Sequence, residues 1–318
     1  MTMRAAVITG PQSAELATVP TPDPGPGEVL VELEGCGVCG SDLPVWQGRP
    51  WFDYPREPGA PGHEGWGRIA ALGDGVRQLA VGTRVAAICY RSDAEFDVAA
   101  ADAVVALPEA LDGQPFPGEP LGCAVNVARR CDFAEGQTVA VVGVGFLGAL
   151  LVQIAARAGA RVVALSRRPF ALDVARAMGA EHVLGPDDAA ALEAVRELTG
   201  GALCDRVIEV TGKQAPLDLA AQLTRVRGRL VIAGFHQDGS RQVDMQLWNW
   251  RGLDVVNAHE RDPAVYTQGV REAARAVAAG ELDPSALYTH EYALSDVGAA
   301  FDAASERPDG FLKALVRP

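Results

Sequence analysis

The stretch Gly143-Val144-Gly145-Phe146-Leu147-Gly148 follows the apolar run 139–142 and opens a helical pattern. Strand, glycine turn and helix in this order are what a dinucleotide-binding crossover requires. Gly143 permits the tight turn, Gly145 lets the backbone approach a pyrophosphate, and Gly148 lets the helix pack closely against the strand. The anion is then held at the N-terminus of the helix. The motif predicts a nucleotide-binding α/β domain; the alternative is a glycine-rich turn that binds no nucleotide.

The end of the next predicted strand bears on which dinucleotide is bound. The strand covers residues 161–165, and the position that usually holds an Asp or Glu for the adenosine ribose is Ser166, followed by Arg167 and Arg168. No carboxylate is there to accept hydrogen bonds from a 2′-hydroxyl, whereas two guanidinium groups can pair with a 2′-phosphate. The pattern favours NADP(H) over NAD(H), unless one or both arginines only cap the exposed end of the strand.

The composition excludes several classes of partner. With 318 residues, 48% of them hydrophobic and 22% charged, the chain is long enough for two globular domains. Its formal net charge is −13, and its lysines and arginines form no stripe that could neutralise the phosphates of a duplex, so we expect no nucleic acid partner. The apolar region 139–165 is interrupted by glycines and by Arg157 and Arg161, so we expect no membrane partner.

The cysteines bear on the cellular setting. There are six of them, unevenly spaced, and the N-terminus lacks the apolar core and the small-residue cleavage site of a secretory signal. We therefore expect a cytoplasmic protein whose cysteines are reduced and serve metal or structural roles.

Secondary-structure patterns divide the chain into two parts. Up to about residue 117, short β-branched segments between Gly- and Pro-rich loops indicate a barrel-like, all-β domain. From about residue 124, strands and helices alternate, which is typical of a doubly wound parallel sheet. The predicted strands are 1–8, 28–34, 67–72, 83–88, 96–98, 139–142, 161–165, 182–184, 206–209, 229–233, 288–293 and 312–316. Besides the helix after the glycines, the predicted helices are 171–178, 189–198, 216–223 and 266–279. We expect the last two strands to return to the first domain.

Side chains that can bind a metal lie on separate turns of the first part. They occur in Cys36-Gly37-Val38-Cys39-Gly40-Ser41-Asp42, in Gly62-His63-Glu64 and in Glu119-Pro120-Leu121-Gly122-Cys123. Sulfur, nitrogen and oxygen donated from loops are typical of an open zinc site, which has three protein ligands and one free position. Each element alone is also compatible with a packed cysteine or a hydrogen-bonded histidine.

Together these motifs resemble those of the zinc-containing alcohol dehydrogenase branch of the medium-chain dehydrogenase/reductase family. The resemblance is carried by Cys-Gly-Ser-Asp at 39–42, Gly-His-Glu at 62–64, Glu-Pro-Leu at 119–121 and the glycine motif, and it extends over essentially the whole chain. It implies an α/β protein in which a catalytic zinc meets the nicotinamide ring in a cleft between two domains. The implied domains are a GroES-like catalytic β-barrel at 1–123 and 260–318, and a Rossmann domain at 124–259.

The resemblance implies roles for residues of the first two motifs. Cys39 and His63 match zinc ligands, and Asp42 matches a carboxylate that orients the imidazole. Glu64 matches a residue that lies behind the metal and can exchange onto it. Ser41 matches the hydroxyl that accepts the proton of the alcohol; alternatively it only forms a turn beside Asp42.

The third zinc ligand is open between two residues of the third motif. Glu119 and Cys123 are four apart, so both lie on one face of a helix if Pro120 occupies its first turn. Polyol-type members of the family have an acidic residue at the position of Glu119, and alcohol-type members have a cysteine at that of Cys123. We favour Glu119 because its Glu-Pro-Leu context resembles the polyol branch, and we keep Cys123 and Glu64 as alternates.

The chain also departs from the family pattern. Many relatives continue a proton relay through a histidine where this chain has Pro44, so the proton must leave by another route, through water or the ribose hydroxyl. A structural zinc lobe with four cysteines should fall within 85–96, where Cys89 is the sole cysteine, so we expect one catalytic zinc and no structural zinc. Cys36 and Cys39 have the spacing of a CxxC motif, but only Cys39 matches a zinc ligand of the family. We therefore expect the Cys36 side chain to be packed in the interior rather than reactive.

The resemblance extends to the cofactor. Lys313 lies where relatives keep a basic residue near the cofactor pyrophosphate, although a surface lysine is an equally good interpretation. Asn257 falls in a stretch that matches the neighbourhood of the nicotinamide. The residues expected to contact the cofactor are Gly143, Gly145, Phe146, Leu147, Gly148, Ser166, Arg167, Arg168, Asn257 and Lys313.

The leading interpretation is an NADP(H)-preferring, zinc-dependent dehydrogenase that interconverts a secondary alcohol or polyol with its ketone by hydride transfer. A zinc-independent enoyl or quinone reductase of the same superfamily is the second interpretation, and Cys39, His63 and Glu119 argue against it because zinc-free branches generally lack them. A nucleotide-binding protein without turnover is the third. Trp248 and Trp250 are compatible with subunit packing, and we expect a homodimer or homotetramer.

Overall fold

A computed structural model describes residues 1–185 and 187–318, which form two units. The first unit joins Met1–Cys123 with Asp262–Pro318, and the second is Ala124–Arg261. Each unit has its own sheet and its own apolar core. Among the described residues, no helix has the length and apolar character needed to cross a membrane.

Strands and helices are numbered separately along the chain. The strands are β1 (Thr2–Gly10), β2 (Ser13–Pro20), β3 (Glu28–Gly37), β4 (Glu64–Leu72), β5 (Arg84–Ala87), β6 (Phe96–Ala100), β7 (Val104–Ala106), β8 (Thr138–Val142), β9 (Arg161–Leu165), β10 (His182–Leu184), β11 (Cys204–Glu209), β12 (Thr224–Ile232), β13 (Asp254–Asn257), β14 (Tyr288–Ala293) and β15 (Lys313–Arg317). The helices are α1 (Leu43–Trp46), α2 (Gly118–Cys131), α3 (Phe146–Arg157), α4 (Pro169–Ala177), α5 (Asp188–Leu198), α6 (Gln214–Leu223), α7 (Met245–Arg251), α8 (Pro263–Ala278) and α9 (Val297–Glu306).

The first unit is mainly antiparallel β-structure. β1 pairs with β2, and a larger sheet has the order β14-β15-β3-β4-β5-β7, in which β6 also pairs with β3. The pairing of β14 with β15 is parallel. The last two strands therefore return to the first sheet, as the sequence predicts, through a contact between β15 and β3. Apolar side chains of β3 such as Val29, Val31 and Leu33 are buried in the core of this sheet, and each stabilises it by roughly 1.5–3 kcal/mol.

The second unit contains a six-stranded parallel sheet in the order β10-β9-β8-β11-β12-β13. This is the doubly wound order of a dinucleotide-binding fold, and its direction reverses between β8 and β11. Every residue of β8 is buried, as is typical of a central parallel strand covered on both faces. The predicted α/β class is thereby confirmed.

The glycine turn connects β8 to α3. Gly143 has a φ of +106°, in the left-handed region that side chains rarely adopt. A Cβ on Gly148 would collide with the carbonyl oxygen of Gly143. These two glycines therefore allow the first turn of α3 to pack directly on the end of β8.

Candidate active site

The turn after β3 presents Cys39. Residues Gly40–Asp42 form a single 3-10 turn that leads into α1, and the backbone N–H of Cys39 donates to Asp42 Oδ2 at 3.2 Å. Asp42 is buried, so little water competes for this hydrogen bond. The turn thus fixes the position of the Cys39 thiol relative to the Asp42 carboxylate.

His63 immediately precedes β4, and its two ring nitrogens have different surroundings. Nδ1 lies 3.1 Å from Asp42 Oδ1 and 3.1 Å from the carbonyl oxygen of Pro61. Because both neighbours are acceptors, Nδ1 carries the hydrogen of the neutral ring and Nε2 keeps the lone pair. Nε2 lies 3.4 Å from Ser41 Oγ. Asp42 therefore orients an imidazole that offers Nε2 as a ligand.

Three ligand atoms converge at this point of the first unit. Cys39 Sγ, a ring nitrogen of His63 and a carboxylate oxygen of Glu64 lie within 4.8 Å of one another. Burial disfavours a charged imidazole, but Asp42 and Cys39 outweigh burial and raise the pKa of His63 well above its usual range. The negative charges of Asp42 and Cys39 thus make this site favourable for a positive charge. Thiolate, imidazole and carboxylate are also the ligand types of an open zinc site, so this donor set fits one zinc ion.

Lys313 is buried, so it is not the surface lysine that the sequence allowed as one of two interpretations. Its ammonium is buried in the first unit, where Nζ donates to Glu64 Oε1 at 2.6 Å and to the carbonyl oxygen of Val38 at 2.9 Å. Burial would lower the pKa of Lys313, but the carboxylate of Glu64 outweighs burial and raises it. The charge of Lys313 is therefore engaged in a buried ion pair beside the candidate metal ligands, and its proximity to the cofactor pyrophosphate stays a prediction.

The third motif begins α2, and Pro120 lies in the first turn of that helix as expected. Glu119 and Cys123 share one face, with Cys123 Sγ 3.4 Å from Glu119 Oε1. Among the described residues, the group of converging ligand atoms contains Glu64, which the sequence offered only as an alternate, and it does not extend to Glu119. Instead, Glu119 Oε1 accepts a hydrogen bond from Tyr266 of α8, a residue that the sequence did not single out.

The loop before β6 corresponds to the region in which relatives have a structural zinc lobe, and for which we expect no structural zinc. Cys89 Sγ lies 3.0 Å from Ser92 Oγ, and Asp97 accepts a hydrogen bond from the backbone of Arg91 at 2.8 Å. Asp93 of the same loop is 3% exposed. Burial, followed by the charge of Asp42, raises the pKa of Asp93 from 3.8 to about 8. No motif in the sequence indicates that this buried acid lies within reach of the Asp42 charge.

In the second unit, the start of α3 fits a phosphate. Gly145 is the N-cap residue and has no side chain to occupy the helix N-terminus. A Cβ added to Gly145 would find no described atom within 4 Å. The backbone of Phe146 and Leu147 follows in the first turn, where N–H groups point toward a bound anion. The residues present thus fit the pyrophosphate of a dinucleotide.

The ribose-side residues lie at the carboxyl end of β9. Ser166 follows that strand directly, and its Oγ accepts a hydrogen bond from the backbone N–H of Arg168 at 3.2 Å. Arg168 is the N-cap residue of α4, and Arg167 is exposed. At the other side of the sheet, Asn257 ends β13, and its Oδ1 accepts a hydrogen bond from the backbone of His259 at 3.1 Å. Ser166, Arg167 and Arg168 therefore lie together between the end of β9 and the start of α4.

Comparison with known proteins agrees with both units. A family model described as alcohol dehydrogenase GroES-like domain matches residues 25–147, and one described as zinc-binding dehydrogenase matches residues 147–275. An alcohol dehydrogenase of Rhizobium meliloti is 32% identical over 268 residues, which cover 74% of this chain and 77% of that protein. The sorbitol dehydrogenase of Bacillus subtilis is 27% identical and is aligned over 99% of this chain and 97% of its own. The crystal structure of a zinc-binding dehydrogenase of Sinorhizobium meliloti bound to NADP is 25% identical, with a TM-score of 0.86 and complete coverage of both chains.

The fold and the sequence similarity define an oxidoreductase that combines a GroES-like domain with a Rossmann domain. The chain belongs to the zinc-type alcohol dehydrogenases of the medium-chain dehydrogenase/reductase family. It is accordingly an NAD(P)-dependent enzyme that acts on alcohols and ketones.

Proposed function

We propose that the protein is a zinc-dependent dehydrogenase that prefers NADP(H) and interconverts a secondary alcohol or polyol with its ketone. The observation that carries the proposal is the convergence of Cys39, His63 and Glu64 within 4.8 Å. Similarity to a sorbitol dehydrogenase supports the polyol substrate class. Similarity to a structure that contains NADP supports the cofactor.

The residues of the first unit account for zinc binding. Cys39 and His63 would hold the ion together with Glu64, and Glu119 borders them. When bound, zinc supplies a Lewis acid that polarises the oxygen of the alcohol or ketone. Asp42 keeps His63 in the tautomer that offers Nε2, and the ammonium of Lys313 compensates the buried charge of Glu64.

Ser41 is proposed as the proton acceptor. Its Oγ lies 3.4 Å from His63 Nε2, next to the converging ligand atoms, where it can take the proton of a substrate hydroxyl. Pro44 lies in α1, one turn further along, and carries no group that binds a proton. Water, or the ribose hydroxyl of a bound cofactor, would therefore have to take the proton from Ser41 Oγ.

Binding of NADP(H) is assigned to the second unit. The backbone at Gly145, Phe146 and Leu147 would hold the pyrophosphate, and the guanidinium groups of Arg167 and Arg168 would pair with the 2′-phosphate. Ser166, in place of a carboxylate, removes the repulsion that a 2′-phosphate would otherwise meet.

The proposal includes a homodimer or homotetramer in the cytoplasm. Trp250 is 89% exposed and Met245 is 52% exposed on α7, which leads into the edge strand β13. Large exposed apolar side chains beside an open sheet edge are typical of a subunit interface. The six cysteines, all of them among the described residues, form no disulfide, which is consistent with a reducing compartment.

Zinc content and cofactor use test this proposal. Elemental analysis of protein purified without added metal should find about one zinc per chain in the wild type and almost none in Cys39→Ala. Cys131→Ala, which removes a buried cysteine of the second unit, serves as the matched control and should retain the metal. Secondary alcohols and polyols should then be oxidised faster with NADP⁺ than with NAD⁺. A folded wild type without zinc would contradict the proposed metal site.

A further inference from the structure

Tyr266 contacts both Glu119 and Cys123, the two residues of the third motif that the sequence offers as the third zinc ligand. Its Oη donates to Glu119 Oε1. Cys123 Sγ lies 3.4 Å from that same oxygen and 3.4 Å from Tyr266 Oη. Hydroxyl, carboxylate and thiol therefore form a triangle in which the tyrosine hydroxyl donates to the carboxylate, and the single S–H hydrogen of Cys123 lies within reach of both oxygens.

The packing of α8 on α2 fixes this triangle. A Cβ on Gly122 would lie 2.7 Å from both the backbone nitrogen and Cγ2 of Val270, and a Cβ on Gly118 would lie 2.9 Å from Val270 Cγ1. Val270 thus packs closely against two glycines of α2 that are one turn apart, and this brings α8 close to α2. Tyr266 lies one turn before Val270 on the same face of α8. The close approach of the helices therefore sets where the tyrosine hydroxyl meets Glu119 and Cys123.

The triangle borders the converging ligand atoms. Burial raises the pKa of the Cys123 thiol, and the charges of Glu119 and Cys39 add to the shift. Burial also raises the pKa of Glu64, against the opposing effect of Lys313, and the carboxylate of Glu119 adds to it. Glu119 and Cys123 are thus within electrostatic reach of Cys39 and Glu64. Among the described residues, however, the group of converging ligand atoms consists of Cys39, His63 and Glu64 alone.

We propose that Tyr266 is a positioning residue that determines which side chains bind the metal. By holding Glu119 and Cys123 in mutual hydrogen bonds, it leaves Cys39 as the single thiolate ligand, beside His63 and Glu64. Thiolates are soft ligands and carboxylates are hard ones, so the number of thiolates affects how strongly the metal polarises a substrate oxygen. This inference rests on the proposed zinc site.

Cobalt(II) substitution gives a readout that is independent of turnover. Each thiolate bound to cobalt contributes sulfur-to-metal charge-transfer absorption in the near ultraviolet, so its intensity counts the thiolate ligands. In Tyr266→Phe, Glu119 and Cys123 lose their partner, and Cys123 should join Cys39 on the metal. The charge-transfer intensity should then rise roughly twofold. Adding Cys123→Ala to Tyr266→Phe should restore the wild-type intensity.

Tyr292→Phe is the matched control, because Tyr292 is a half-buried tyrosine of β14 in the same unit. It should leave the cobalt spectrum unchanged. A Tyr266→Phe spectrum identical to that of a cobalt-binding wild type overturns the inference and leaves the zinc proposal intact. A wild type that binds neither zinc nor cobalt overturns both.

A second variant decides the matter if Tyr266→Phe does not fold. Cys123→Ala alone should leave the wild-type cobalt spectrum unchanged, because Tyr266 already keeps the thiol away from the metal. A loss of charge-transfer intensity in Cys123→Ala would show that Cys123 is a ligand in the wild type, and would overturn the inference.

Discussion

Lys313 Nζ lies 2.6 Å from Glu64 Oε1, although 249 residues separate the two in the sequence. The side chain of Lys313 is 5% exposed and that of Glu64 is 0% exposed, so water screens neither charge. Removing one partner of such a pair leaves an uncompensated charge in the interior. The need for charge balance therefore couples the start of β15 to the start of β4.

Lys313→Met should destabilise the protein by about 3–5 kcal/mol, because it leaves the Glu64 carboxylate buried without a cation. Urea unfolding of chelator-treated protein measures the change. Lys213→Met is the matched control: Lys213 pairs with Asp238 but is 61% exposed, so its loss should cost less than about 1 kcal/mol. The double variant Glu64→Gln with Lys313→Met should be more stable than Lys313→Met alone. Equal effects of the two lysine substitutions would contradict this account.

Two glycines of the turn before α3 should respond differently to alanine. Gly148→Ala places a methyl group against the carbonyl oxygen of Gly143 and should cost about 1–3 kcal/mol of stability. Gly145→Ala meets no described atom within 4 Å, so it should fold with nearly wild-type stability. Its methyl group would instead occupy space needed by the pyrophosphate and weaken NADP(H) binding. Thermal unfolding and cofactor fluorescence titration separate the two effects, and unimpaired cofactor binding by Gly145→Ala would argue against the assigned phosphate site.

Ser166→Asp combined with Arg167→Ala should move cofactor preference toward NAD(H). The change removes one charge-assisted hydrogen bond to the 2′-phosphate, worth roughly 1.5–3 kcal/mol, and adds a carboxylate that repels the phosphate. The ratio of kcat/KM for NADP(H) to that for NAD(H) should fall at least about tenfold. Arg157→Ala, at the exposed end of α3, is the control and should leave the ratio unchanged. An unaltered ratio in the double variant would refute the proposed ribose pocket.

Asp93 should make stability depend on pH in protein stripped of metal by a chelator. Its pKa is raised from 3.8 to about 8, first by burial and then by the charge of Asp42. The folded state therefore holds a proton that the unfolded state releases, and stability should fall as the pH rises from about 4 to about 8. Asp93→Asn should flatten this slope. Urea midpoints measured across that range test the sign, and a wild type that gains stability with rising pH would rule it out.

Local sequence patterns predicted much of the fold. The glycine turn, the alternation of strands and helices, and the return of the final strands were all predictable, because periodicity and turn residues act over short distances. The described elements that were missed include β2, β7, β13, α7 and α9. β7 and β13 are three and four residues long, and α7 has no fully buried residue. Short elements without a buried face lack the periodic signal on which such predictions depend. α9 was missed although five of its ten residues are buried.

The candidate site was predictable only in part. Cys39, His63 and Asp42 lie in short motifs, so their chemistry could be read from spacing and family resemblance. The contact between Tyr266 and Glu119 spans 147 residues, and nothing near either residue in the sequence signals it. Contacts of this kind are set by helix packing and sheet pairing, which a single sequence does not display.

The insertion of one unit within the other also orders events during synthesis. The second unit occupies an unbroken run of chain, Ala124–Arg261, and its sheet can form as soon as that run leaves the ribosome. The sheet of the first unit must wait for β15, the strand that carries Lys313. Until then the nascent chain holds Glu64 without its cation. The second unit can therefore complete its sheet before the first unit does, because the first sheet is complete only when β15 has been synthesised.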